Sequence, residues 1–150
     1  MRNLALEIAR SLETIEQERG PFKVKCLVAQ NPDDIQWDLI LWADWFEADE
    51  AKRLDYLIEK IIGQLETDDL AQFNAIITFG ARDETDFLRA LMKIQDNYLK
   101  GFYQSVWGGD FWEVRTTLPQ ARLVVPLNRS TQDLSRERRD PIKSQRVTIE

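Results

Sequence analysis

The spacing of apolar residues near the start of the chain predicts an amphipathic helix over residues 3–18. Apolar residues recur there at steps of one, three and four, which places them on one face of a helix. They are Leu4, Ala5, Ile8, Leu12 and Ile15. The pair Gly20 and Pro21 follows and predicts the end of this helix.

The next positions predict two strands that pair antiparallel across a short turn. Residues 22–30 alternate, with Phe22, Val24, Cys26 and Val28 on a buried face and the lysines on a partly solvated one. The stretch NPDD favours a turn, since Asn and Asp favour turns and Pro fixes φ. Residues 37–46 are nearly all apolar, which is typical of a strand covered on both faces.

A second helix and a third strand come next. Residues 48–65 carry one apolar stripe and begin with acids, which suit the positive N-terminal end of a helix. Residues 73–80 (FNAIITFG) predict a strand. The second and third strands can run parallel, because the helix between them provides a right-handed crossover.

The stretch SVWGGDFW, residues 105–112, raises the choice between a hairpin turn and a helix end. The apolar positions before it step by one and three, which indicates a helix from about Glu84 to Trp107. Asp83 is the predicted N-cap, with Asp86 three residues on. Gly108 or Gly109 then supplies the left-handed C-cap.

Two final strands complete the predicted fold. They are Phe111–Thr117 and Ala121–Leu127, joined as a hairpin, and Pro126 predicts that the fifth strand lies at an edge of the sheet. The fold class is therefore α/β, with one mixed sheet of about five strands covered by three helices, in the order α-β-β-α-β-α-β-β. Residues 1–127 form the predicted domain, and 128–150 a polar, partly flexible C-terminal tail.

Charge and composition narrow the classes of partner and compartment. The 150 residues carry a net charge of −6, of which the tail contributes +2 and the preceding body −8. An acidic body argues against nucleic-acid binding. The single Cys26 excludes an internal disulfide, no apolar run reaches about 18 residues, and the start does not resemble a signal peptide. We therefore expect a cytoplasmic protein that binds neither nucleic acid nor membrane.

No residue pattern predicts a catalytic centre, a metal site or a cofactor. The chain has no histidine, which excludes Ser-His-Asp and Cys-His nucleophiles and removes the commonest metal ligand. Cys26 is interpreted as an inert core residue. No glycine-rich phosphate loop is present.

The carboxylates are interpreted as structural. Asp38 and Asp44 are about 20 Å apart along one strand, too far for a catalytic pair. The acids near the turn and the second helix are interpreted as turn and helix-end residues: Asp33, Asp34, Glu47, Asp49 and Glu50. A sequence motif of metal-dependent nucleases is matched, in residue type and order, by Pro32-Asp33 together with Glu50-Ala51-Lys52. We reject it, because those enzymes carry the second part on a strand and here it opens a helix.

Aromatic residues are the remaining resource for binding. Trp107 and Trp112 flank the two glycines, at a predicted helix end and strand start, and serve either as core residues or as surface anchors. The candidate partner-binding residues combine this flank with the predicted edge strand. They are Trp107, Asp110, Phe111, Trp112, Arg122 and Val124.

The segments WDLILWADWFE, LDYLIEKIIGQL and FNAIITF carry a family resemblance. Across residues 37–79 the chain resembles small bacterial α/β domains that are frequent in cyanobacterial genomes. In size and layout it is also similar to a small cyanobacterial adaptor that grips the C-terminal extension of a carboxysome shell protein. The resemblance implies an adaptor role and transfers no functional residue.

These observations favour a non-enzymatic adaptor domain that binds another protein or a peptide tail. An exposed sheet edge can accept an extended peptide, and an acidic surface favours a partner of basic character. Two alternatives stay open, a carboxylate-based metal-dependent hydrolase and an inhibitor or immunity-type protein that masks a basic enzyme.

Overall fold

Four helices and five strands make up the described part of the chain. The computed structural model describes residues 2–31, 33, 36–46, 49–99 and 113–128. The helices are α1 (Arg2–Arg19), α2 (Glu50–Ile61), α3 (Thr67–Leu70) and α4 (Asp86–Leu99), and a 3₁₀ turn, Ile62–Gln64, continues α2. The strands are β1 (Val24–Ala29), β2 (Trp37–Trp42), β3 (Phe73–Phe79), β4 (Val114–Arg115) and β5 (Leu123–Pro126). The predicted α/β class is confirmed, and the short α3 is an addition to the predicted order.

The strands form one mixed sheet in the order β3-β2-β1-β5-β4. β1 pairs antiparallel with β2, β2 pairs parallel with β3, and β4 forms an antiparallel hairpin with β5, as predicted. At the centre, Cys26 lies between Ile40 on β2 and Pro126 on β5. The helical connection between β2 and β3 makes their parallel pairing possible.

Helices cover both faces of the sheet. Apolar residues of α1 and α2 pack on the face that carries Leu27, Leu39 and Leu41. Leu88 and Leu91 of α4 pack on the opposite face, against Cys26 and its neighbours. The predicted coverage of the second strand on both faces is confirmed, because Leu39 and Leu41 lie in the first cluster and Ile40 in the second.

The prediction of a partly solvated face on β1 is wrong. All six residues of β1 are buried, because α1 covers the face that contains Lys25. The Lys25 ammonium lies 2.6 Å from a Glu16 carboxylate oxygen, and that carboxylate also accepts a hydrogen bond from the Phe22 backbone N–H. An ion pair with a residue of α1 therefore allows a lysine in the core. Phe22 precedes the strand and packs on the α1 face.

The prediction that β5 is an edge strand is also wrong. β5 lies between β1 and β4, and the edges of the described sheet are β3 and β4. Proline restricts only one side of a strand. Leu127 donates its backbone N–H to Lys25, and Arg122 accepts from Thr116, so the Pro126 nitrogen faces the β4 side. The described part of β4 ends opposite Val124, so Pro126 interrupts no described pair.

The start of α4 differs from the prediction by its cap. The Thr85 hydroxyl accepts a hydrogen bond from the Leu88 backbone N–H, so Thr85 is the N-cap and Asp83 is not. The Asp83 carboxylate instead accepts from the Gly80 backbone N–H at 2.8 Å and closes the preceding turn. Residues 100–112 lie outside the described residues, and with them the predicted C-cap at Gly108 or Gly109.

Gln95 on α4 completes the hydrogen bonding of β1. Its side-chain oxygen accepts from the Lys25 backbone N–H at 2.7 Å and contacts the Cys26 sulfur at 3.3 Å. Its nitrogen donates to the Lys23 carbonyl at 2.9 Å. A buried glutamine thus satisfies strand groups that a neighbouring strand satisfies elsewhere.

Candidate functional site: a cationic aromatic pocket

A small pocket opens just beyond the carboxyl end of β2. Its volume is about 210 Å³, and it is lined by the end of α1, the turn after β2 and the first turns of α2. The lining residues are Arg19, Trp45, Lys52, Arg53 and Tyr56. In open α/β sheets, ligands commonly bind outside the carboxyl ends of the parallel strands, and β2 belongs to the parallel pair of this sheet.

Trp45 forms a fixed wall of the pocket. Its indole N–H donates to the Gly20 carbonyl at 2.9 Å and to the Pro21 carbonyl at 3.1 Å. Its ring packs edge to face against Phe22, Phe46 and Tyr56, with centroid separations of 5.4, 4.8 and 6.5 Å. These contacts hold the indole in one orientation, and this pre-organisation reduces the entropy lost on binding.

Gly20 allows this close approach of Trp45. Its φ is +128°, a conformation that residues with a side chain rarely adopt, and a Cβ there would lie 3.1 Å from Trp45 Cδ1. Its N–H donates to the Glu16 carbonyl and closes the last turn of α1. The glycine that ends α1 therefore also positions the pocket wall.

The charged residues that line the pocket are all cations. The Arg19 guanidinium lies over the Tyr56 ring, 4.5 Å from its centroid. Arg53 is only 7% exposed, and its Nε donates to the Thr78 hydroxyl on β3 at 2.9 Å. Lys52 is exposed in the first turn of α2. Among the described residues no acid lines the pocket, so its sign is opposite to the net charge of −6.

Two acids lie next to residues that line the pocket, Glu18 in space and Asp44 in sequence. Glu18 accepts from the Tyr56 hydroxyl at 3.2 Å and lies 4.0 Å from the Lys60 ammonium. Asp44, beside Trp45, pairs with Lys23 at 2.9 Å and leaves 72% of its side chain exposed. Glu18 thus places an anionic group beside the cationic pocket.

Asp49 takes up the free backbone donors at the start of α2. Its carboxylate accepts from the Ala51 and Lys52 backbone N–H groups, at 3.0 and 3.3 Å. An anion in the pocket would therefore interact mainly with the side-chain cations and only weakly with the N-terminal end of α2. Glu50 lies in the first turn of α2, as predicted, so the nuclease-like triplet is on a helix.

Two of the six sequence-predicted site residues belong to the described part of the chain. Trp107, Asp110, Phe111 and Trp112 are outside the described residues, and their role stays a prediction. Arg122 is exposed, whereas Val124 is fully buried against the α4 face of the sheet. Neither lines the pocket. Sequence reasoning missed the pocket because its residues come from three separate elements, although the run of aromatics from Trp37 to Phe46 was a signal.

Cys26, Asp38 and Asp44 have structural roles in the fold, whereas Asp34 and Glu47 lie outside the described residues. Cys26 is fully buried, and this burial raises the pKa of its thiol. Asp38 accepts from the Asn74 amide at 2.8 Å, and Asp44 pairs with Lys23. Among the described residues, the acids that lie close enough together to hold a metal are Glu7, Glu66 and Asp69, near the N-terminal end of α1.

Comparisons with known proteins add no relative. No family model, curated protein or solved structure matches this chain. The resemblance to cyanobacterial α/β domains and to a carboxysome adaptor therefore stays a prediction. Within the described residues, no helix has both the length and the apolar character needed to cross a bilayer.

Proposed function

We propose that this chain is a non-enzymatic binding domain that captures the C-terminal tail of a partner protein in the cationic aromatic pocket. The observation that carries the proposal is the convergence of Arg19 and Lys52 on a pocket with a fixed Trp45 wall. The tail's terminal carboxylate would lie between the cations. The adaptor role expected from the sequence becomes, in this proposal, the recognition of a chain end.

The size of the pocket favours a peptide group over a metabolite. At about 210 Å³ it is smaller than the roughly 300–1,000 Å³ of typical small-molecule sites. It accommodates one carboxylate or one side chain, so the remaining affinity must come from residues that cross the rim. Capture of a terminal carboxylate is a recurring mode of peptide recognition.

Two acids near the pocket favour basic residues ahead of the terminal carboxylate in the bound peptide. Glu18 contacts the pocket residue Tyr56, and Asp44, which pairs with Lys23, immediately precedes Trp45 in the chain. In this proposal they attract lysine or arginine a few positions before the chain end. One peptide can therefore have both the basic residues expected from the net charge and a terminal carboxylate that binds the cationic pocket. Complementary charges of this kind also raise the association rate at low salt.

A sheet edge offers a weaker basis for peptide binding. In the described sheet the long edge strand is β3, where Ile77 is 38% exposed, and not β5. An edge strand pairs with extended chain through its backbone, whatever the sequence of that chain. The pocket is preferred because it discriminates by charge.

The test compares two pools of random heptapeptides, one with free carboxyl ends and one with amidated ends. The immobilised full chain should retain the free-carboxyl pool several-fold more, with basic residues enriched before the end. Arg19→Gln and Lys52→Gln should each reduce retention by about threefold, and together by about tenfold, because each exposed charge contact is worth roughly 0.7 kcal/mol. Lys93→Gln, at an exposed lysine of α4, is the matched control.

Two results would contradict the proposal. Equal retention of both pools would show that the terminal carboxylate is not recognised. Inorganic phosphate that displaces bound peptide at sub-millimolar concentration, together with unselective peptide retention, would identify a phosphate site instead.

A further inference from the structure

Three carboxylates meet where α1 passes α3. Glu7 comes from α1, and Glu66 and Asp69 come from the start and third residue of the α3 turn. One oxygen of each lies within 4.8 Å of the other two. No lysine or arginine nitrogen of the described residues pairs with them. Within the part of the chain that the structure describes, no cation therefore offsets this concentration of negative charge.

Asp69 gives an independent indication of a ligand. It is only 3% exposed, and its Oδ2 is buried without a hydrogen-bond partner. Oε2 of Glu7 is buried and unpartnered in the same way. Buried carboxylate oxygens without partners are rare, since the charge loses its hydration with nothing in return. These oxygens lack partners when both groups are ionised, whereas a side-chain hydrogen bond with Asp69, together with burial, raises the pKa of Glu7.

We propose that Glu7, Glu66 and Asp69 bind a divalent cation, for which calcium has the best size. Hard cations take oxygen ligands, and calcium–oxygen distances of about 2.3–2.6 Å allow opposite ligands to be roughly 5 Å apart. Magnesium, at about 2.1 Å, requires all three oxygens within roughly 4.2 Å of one another. Separations of up to 4.8 Å are compatible with calcium ligands without rearrangement, and the measured comparison with magnesium decides between the two ions.

Solvent reaches the site through a neighbouring cleft. Glu7 lines a cleft of about 420 Å³ between α1 and the end of α2, which supplies water for the remaining coordination positions. Arg10 and Lys60 line the same cleft and lower its affinity for cations. With three protein ligands, we expect a dissociation constant of about 10⁻⁴–10⁻³ M. The bound ion would connect α1 to α3.

The test measures calcium binding by the full chain after treatment with a chelator and dialysis. Calorimetry with CaCl₂ should show one site, and 10 mM CaCl₂ should raise the unfolding temperature by a few degrees, since the ion binds the folded state. MgCl₂ should give a smaller rise. Asp69→Asn should remove both calcium effects and should raise the unfolding temperature in chelator, because it removes a buried charge that repels Glu7.

The control is Asp68→Asn, at the adjacent exposed acid of α3, which should leave calcium binding unchanged. Glu66→Gln, at an exposed ligand, should weaken binding with little effect on folding and keeps the test valid should Asp69→Asn fail to fold. The proposal is overturned if calcium produces neither heat nor a temperature rise. It is equally overturned if Asp68→Asn weakens binding as much as Glu66→Gln, since the site would then be diffuse surface charge.

Discussion

Replacement of Gln95 by methionine should destabilise the protein by about 3 kcal/mol. Methionine has a similar length, so the packing of α4 is kept while both polar atoms are lost. The two backbone hydrogen bonds of Gln95, at 2.7 and 2.9 Å, contribute about 1 kcal/mol each. The buried Lys25 N–H then lacks a partner, which adds about 1 kcal/mol or more.

The measurement is equilibrium unfolding in urea at pH 7, followed by far-UV circular dichroism. The unfolding midpoint should fall while the denaturant dependence stays the same, which shows that the free energy has changed and not the unfolded state. Gln17→Met, at an exposed glutamine of α1, is the matched control and should change stability by less than about 0.5 kcal/mol. A loss below about 1 kcal/mol for Gln95→Met would refute the role assigned to this side chain.

Three further predictions concern the backbone and the thiol. Gly20→Ala should lower the free energy of unfolding by at least about 1 kcal/mol and displace Trp45, because φ is +128° at this position. Gly63→Ala is the control and should not destabilise the protein, since a Cβ there meets nothing within 4 Å. Equal effects of the two substitutions in urea unfolding would contradict this reasoning. Thr85→Ala should lose about 1 kcal/mol and the exchange protection of the Leu88 amide, and protection that survives would argue for another cap. Cys26 should not react with a thiol reagent at pH 8 until urea unfolds the chain, because burial raises the pKa of its thiol. Rapid reaction of the folded protein would show that the thiol is not buried.

The sequence pattern predicted those parts of the fold that depend on local periodicity. The burial of β2 on both faces and the apolar stripe of α2 depend on residues close together in the chain, so both were predictable. Lys25 was placed toward solvent because its partner, Glu16, comes from another element. The predicted edge position of β5 was wrong for a related reason. Pro126 restricts one side of the strand and does not determine what pairs with the other side.

The cationic aromatic pocket could not be predicted from local patterns in the sequence. Arg19 ends one helix, Trp45 follows a strand, and Lys52 begins another helix, so no periodicity connects them. The abundance of aromatics was informative only as composition, and it drew attention to Trp107 and Trp112. The acids of the cation site are likewise separated, with Glu7 about sixty residues before Glu66 and Asp69. Sites of this kind become visible only when packing brings distant elements together.

The most direct test of the binding proposal is a double-mutant cycle between Lys52 and the peptide terminus. The dissociation constants of the best selected peptide, as free acid and as amide, are measured by calorimetry for the unchanged chain and for Lys52→Gln. If the carboxylate contacts Lys52, amidation should weaken binding by about tenfold in the unchanged chain and much less in Lys52→Gln, a coupling of roughly 1 kcal/mol. Losses that simply add, with the same effect of amidation in both chains, would contradict capture of the carboxylate in this pocket.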